Sequence, residues 1–168
     1  GEVQIDLLQA VDLRFERLPA EGSEAPELSS QPQLSLGDWP KTPIAVDVRE
    51  IALTGVTITD NVLPTPIRFN ASGRFQDDGT NQPAALVLER MDAVSGSIAF
   101  EYAKSFETGN LTLNLDGDEA PGGLLAALAN LPDTTPTQVT LSGNGLPSAF
   151  EGSLQANADG VVSVDGRV

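Results

Sequence analysis

The residues best suited to chemistry in this chain are its carboxylates. Its 168 residues include 24 Asp and Glu against nine Lys and Arg, for a formal net charge of −15. Two clusters, Asp77-Asp78-Gly79 and Asp116-Gly117-Asp118-Glu119, place several hard oxygens in turn-forming sequence. Such oxygens suit calcium, but neither cluster has the acid that an EF-hand loop needs at its twelfth position, and the RTX nonapeptide is absent. Solvated turn acids are the simpler reading, and no metal ligands are assigned. No two carboxylates form by spacing the pair that a glycosidase uses, and one Trp and one Tyr make a poor sugar platform. The chain has no His and no Cys. Ser-His-Asp and Cys-His catalysis are therefore excluded, together with the commonest zinc ligand. Gly-x-Ser-x-Gly, Ser-x-x-Lys, the P-loop and the dinucleotide fingerprint are all missing. The expectation is a protein that is not an enzyme, with no catalytic residue, cofactor or metal.

The acidity narrows the partners. No basic stripe could displace counterions from phosphates, so nucleic acid is not expected. Electrostatic docking on an anionic bilayer is disfavoured for the same reason. Without disulfides, stability must come from burial. No run approaches the roughly 20 apolar residues of a membrane span. The first residue is Gly1 and the only Met is Met91, so the sequence reads as a segment of a longer or processed protein.

With no motif to carry function, the scaffold has to. Ile5, Leu8, Ala10, Leu13 and Phe15 fall at steps of three, two, three and two. Val48, Ile51, Leu53, Val56 and Ile58 repeat those steps about 43 residues later, and Leu88, Met91, Ala93, Gly96 and Ile98 repeat them more weakly about 40 residues further on. A period in that range suggests a repeat architecture of mutually completing units. Each step of three breaks strand alternation, which predicts a bulge or two tightly joined short strands per repeat, near Gly55 and Gly96.

Other segments alternate cleanly. Ile67, Phe69, Ala71, Gly73 and Phe75 share one side; Arg68, Asn70, Ser72 and Arg74 share the other. Leu111–Leu115, Phe150–Ala156 and Val162–Val168 read the same way. Further strands are expected near Val3–Leu8, Val11–Leu18, Ala45–Thr54, Val56–Asp60, Ala84–Asp92, Gly96–Ala103 and Gln138–Ser142. Asp78-Gly79, Asp116-Gly117, Asn144-Gly145 and Asp159-Gly160 read as turns between consecutive strands, hence an antiparallel meander. Residues 19–43 carry five prolines among Glu, Ser and Gln, which predicts a long loop that cannot enter a sheet. Residues 119–131 open with acids and an early proline, are rich in Leu and Ala, and stop at Asn130 and Pro132, which predicts one short apolar helix.

The stretch Val48-Arg49-Glu50-Ile51-Ala52-Leu53-Thr54-Gly55-Val56-Thr57-Ile58 resembles the recurring strand unit of the AsmA-like family. The order of features is similar too. An Ile5–Leu13 strand is followed by a proline-rich break, the Ile51 unit, and Ala85–Asp92. Then come a strand and helix from Leu113 through Gly122-Gly123 to Leu128, and Thr140–Gly145. The resemblance implies a mainly β fold, an elongated antiparallel sheet curled into an open, taco-like groove with an apolar interior. The whole chain, 1–168, would be one β-groove segment. It further implies a periplasmic location, inner-membrane anchoring through a segment not in this chain, contact with the outer-membrane barrel TamA, and a part in phospholipid transport and outer-membrane protein assembly.

Alternation alone allows an apolar side and a wet side. Val46, Val48, Leu53, Ile67, Phe69, Phe75, Leu86, Leu88, Ile98 and Phe100 are the expected lipid-groove residues, with phospholipid acyl chains as ligand; a closed core is the other reading of the same residues. Open edges would invite edge-strand self-association, which the negative charge opposes. The alternative is an acidic extracellular β-sandwich, a binding module stabilised by calcium.

Overall fold

The computed structural model describes residues 1–16, 44–60, 66–123, 134–158 and 162–167. They form one sheet of eleven strands. Three short strands, β1 (Glu2–Ile5), β2 (Leu8–Val11) and β3 (Arg14–Phe15), lie end to end beside the long β4 (Ala45–Ile58). The rest are β5 (Ile67–Asp77), β6 (Asn81–Arg90), β7 (Gly96–Ser105), β8 (Leu111–Glu119), β9 (Thr137–Leu146), β10 (Ala149–Ala158) and β11 (Val162–Arg167). From β4 to β11 each strand pairs antiparallel with the next, an uninterrupted meander. The sheet is open: β1–β3 and β11 are its edges and do not pair with each other.

The spacing of three, two, three, two has a structural cause. β1–β3 run parallel to β4, with Ile5 beside Val48, Leu8 beside Ile51, Ala10 beside Leu53 and Phe15 beside Ile58. The interval of about 43 residues is therefore a pairing register between neighbours, and the parallel edge departs from the all-antiparallel expectation. β4 stays continuous through two irregularities against β5, between Val48 and Ile51 and between Leu53 and Val56. There two residues of β4 oppose one of β5, and each bulge returns the apolar residues to one side. β1–β3 cross the same points by breaking. Both forms expected of a phase shift thus occur side by side. At the second kink Gly55 takes φ +69 and Asp12 takes φ +53, a left-handed conformation that glycine adopts freely and Asp tolerates. Asn70 Oδ1 accepts the Gly55 N–H at 2.9 Å, and the Asp12 N–H donates to the Thr54 carbonyl at 2.8 Å.

The third copy of the spacing is no repeat. Leu88 lies in β6, Met91 and Ala93 in the connection, and Gly96 and Ile98 in β7; Leu88 and Ile98 are cross-strand partners. Asp78-Gly79 does turn the chain between β5 and β6, whereas Asp116-Gly117 lies inside β8 and Asn144-Gly145 inside β9. Pairing on both flanks overrides the turn preference of these dipeptides, and β9 reverses at Pro147-Ser148 instead. Asp159-Gly160 and the proline-rich loop 19–43 lie outside the described residues, as does most of the helix expected over 119–131. Its described opening is the last residue of β8 and a turn: Glu119 is in strand and Pro121-Gly122 in turn. Among the described residues there is no helix long and apolar enough to cross a membrane.

Candidate functional site

Register decides which side chains share a face, because directly paired residues point the same way. Three successive rows across β4–β10 are apolar or glycine throughout, apart from one tyrosine. The first is Val48, Phe75, Ala84, Tyr102, Leu113, Gly143 and Gly152. The second is Ile51, Gly73, Leu86, Phe100, Leu115, Leu141 and Leu154; the third is Leu53, Ala71, Leu88, Ile98, Gly117, Val139 and Ala156. At about 4.8 Å per strand, seven strands carry these rows roughly 29 Å across the sheet. The reverse face carries Arg68, Asn70, Ser72 and Arg74 on β5 and Thr112, Asn114, Asp116 and Asp118 on β8.

All ten residues expected to line a groove lie on the apolar face. Val48, Leu53, Phe75, Leu86, Leu88, Ile98 and Phe100 stand in the three rows; Val46, Phe69 and Ile67 extend it along β4 and β5. Val48 and Phe69 are buried and the other eight half-buried. Phe69, Val56 and Ala71 make a small closed core against which Leu13, Leu53, Leu86 and Leu88 pack. Phe69 is thus core as well as face. The expected set stops at β7, yet the face continues through Leu113, Leu115, Val139, Leu141 and Leu154. The signal for Leu113, Leu115 and Leu154 was present in their clean alternation.

The face is crowded on its own side. A Cβ added at Gly143 would come within 2.6 Å of the Phe150 ring, and one at Gly152 within 2.8 Å of the Ser142 carbonyl oxygen. Strand glycines mark such close approaches, and here the Phe150 ring occupies the room that a side chain at Gly143 would need. The reverse side has a shallow hollow of about 270 Å³ where Ala85 and Ala99 are too small to fill the space between Val87, Glu101, Asn114 and Thr140.

Buried polar groups bound the rows at both strand ends. At one end the fully buried Asp77 accepts the Gly79 N–H at 2.8 Å and the Gln82 amide at 3.2 Å. Beside it, Asp78 accepts from the Thr80 hydroxyl and from the Asn81 and Thr80 N–H groups, which hold its carboxyl down at about 2. At the other end Arg90 reaches Glu119 at 2.8 Å and Asp92 at 2.7 Å; the Arg90 and Glu119 side chains are only 7% and 2% exposed. Burial pulls the Arg90 pKa down, but its two carboxylate partners outweigh it and the net shift is upward. Burial pushes Asp92 up; Arg90 and the Arg68 and Val94 N–H groups overcome this and hold it below the usual carboxylate range. Burial also raises the Tyr102 pKa.

The carboxylates first considered for calcium are engaged elsewhere. Asp116 accepts from Thr140, Asp118 from Ser97 and Glu119 from Arg90, and alternation along β8 sends Glu119 to the opposite face from the two aspartates. Among the described residues no three His, Cys, Asp or Glu side chains converge on a metal position. No protein-family model, curated protein or solved structure matches the chain.

Proposed function

We propose that this chain shields lipid acyl chains along the apolar face of its sheet, as a periplasmic segment of an inner-membrane-anchored conduit of the AsmA-like kind. The observation that carries the reading is the open run of apolar rows from β4 to β10, half-buried along most of its length and bounded at both strand ends by buried polar groups. Each CH₂ that leaves water for such a face contributes about 0.8 kcal/mol, so an acyl tail needs no directional contact to be held. This accords with a chain that offers no catalytic motif. The wider proposal, on the resemblance alone, is a TamB-like role in moving phospholipids and assembling outer-membrane proteins with the barrel TamA.

Binding of a fluorescent phospholipid to the purified chain tests the reading, against a Leu115→Asp, Leu141→Asp double variant, two cross-strand partners outside the closed core. Both positions are half-buried on the face; Phe69 is left intact because it belongs to the core. The expected result is saturable binding that the variant loses while its circular dichroism stays that of a sheet. No binding by the folded wild type, or equal binding by a folded variant, overturns the proposal. Calcium-dependent melting of a chain that binds no lipid would favour an acidic binding module, built on this one open sheet and not on a sandwich.

A further inference from the structure

The edge formed by β1–β3 carries an inference that does not depend on what the apolar face holds. Among the described residues this edge pairs only with β4. The Leu13 and Phe15 carbonyls accept from Thr57 and Thr59, so strand alternation turns the N–H and C=O of Arg14 outward. The edge is also greasy. Of the nine exposed large apolar side chains among the described residues, five lie here: Val3, Leu7, Leu8, Val11 and Phe15, at 41 to 59% exposure. Neither Pro nor Lys, two common guards against edge pairing, occurs within residues 1–16.

The spacing identifies the partner. Along this edge Val3, Ile5, Leu8, Ala10, Leu13 and Phe15 share the apolar face, at steps of two, three, two, three, two. That series reads the same in both directions. We infer that β1–β3 of two copies pair antiparallel about Gln9, joining two sheets into one with a continuous apolar face. This register sets Val3 against Phe15, Ile5 against Leu13 and Leu8 against Ala10, so the kinks of one copy meet the kinks of the other. A slip of one residue would put apolar side chains against the wet face. Only the antiparallel arrangement keeps both apolar faces on one side when the same edge meets itself. The other open edge, β11, is six residues long without a phase break and could match only part of this edge.

Charge sets the strength of the pair. The same register places Glu2 against Glu16 and Asp6 against Asp12, like charges that repel. Arg49, Arg68 and Arg14 of the same copy pair with Asp6, Asp12 and Glu16 and reduce that repulsion, but each copy still carries a net charge of −15. Arg14 faces Gln4, with Glu2 and Asp6 of the other copy on its diagonals. With two acidic oppositions on each side of the twofold, salt favours the dimer by screening.

Sedimentation equilibrium of the purified chain tests this, with a cross-linking arm that the absence of cysteine makes simple. The expected result is a monomer–dimer equilibrium that shifts severalfold toward dimer as salt is raised, and a monomeric Leu8→Lys variant. Gln9→Cys, at the twofold, should be captured as a covalent dimer by a short bis-maleimide, and Ser163→Cys on β11 should not. Should Leu8→Lys fail to fold, the comparison of the two cysteine variants decides. A chain monomeric at every salt concentration, a dimer that salt weakens, or cross-linking at Ser163 in preference to Gln9 overturns the inference.

Discussion

The two halves of the sheet solve one problem differently. In β1–β5 the apolar spacing breaks phase twice, and the kinks gather Val56, Phe69 and Ala71 into a closed core. In β6–β10 the register runs unbroken, and Leu86, Phe100, Leu115, Leu141 and Leu154 remain half-buried in a row. Among the described residues there is one layer, with no second sheet to lie against. It buries large apolar side chains at the β4–β5 kinks and toward one end of the strands, where Leu111 and Tyr102 are buried, and between these it leaves an apolar surface. The middle row of the second half is therefore the part more available to a ligand.

The strongest test of this contrast truncates one large side chain in each half. Phe69→Ala is expected to cost about 3–5 kcal/mol, as for a buried aromatic, while Leu141→Ala should cost less than half as much because its side chain is partly solvated already. Equal losses in urea denaturation would erase the distinction. Glu119→Ala comes next. It leaves Arg90 buried with Asp92 as its remaining carboxylate partner here, and a loss of about 2–3 kcal/mol is expected, below the full cost of breaking a buried pair. Glu119→Gln should recover part of that loss.

The kinks themselves can be broken. Gly55→Ala forces a side chain into a left-handed position where its Cβ would sit 2.6 Å from the Asp12 carboxylate oxygen, and about 1–2 kcal/mol of destabilisation is expected. Thermal melting checks it, and a Gly152→Ala control tests close approach without positive φ.

The smallest effect is on pH dependence. Asp78 and Asp92 both lie below the ordinary carboxylate value of about 3.9. A depressed carboxylate stabilises the fold above its unfolded pKa, and that contribution is lost as pH falls through the folded value. Stability should therefore drop between about pH 4 and about pH 2, the latter being the Asp78 value. Asp78→Asn should flatten that part of the profile by lowering stability near neutrality toward the acid value, and only modestly, since its side chain is solvated. A profile identical to the wild type's would remove Asp78 from the account.

Much of this sheet was legible before folding. The alternation of Ile67–Phe75, Leu111–Leu115 and Phe150–Ala156 fixed which residues share a side, because a strand's side-chain period is two whatever it pairs with. The spacing of Ile5 to Phe15 and Val48 to Ile58 determined that phase would break, and where. What those residues could not determine was their own adjacency: that the two stretches lie side by side and parallel is a long-range choice, made when β4 also had β5 to satisfy. Nor could local sequence show that Asp116-Gly117 and Asn144-Gly145 stay in strand, since their turn preference of a few tenths of a kcal/mol to about one yields to hydrogen bonding on both flanks. The partnership of Arg90 with Glu119, 29 residues apart, likewise exists only once β6, β7 and β8 are in register. Sequence determined faces and kinks, which are local and periodic; tertiary structure decided neighbours, which depend on which distant strand arrives to pair.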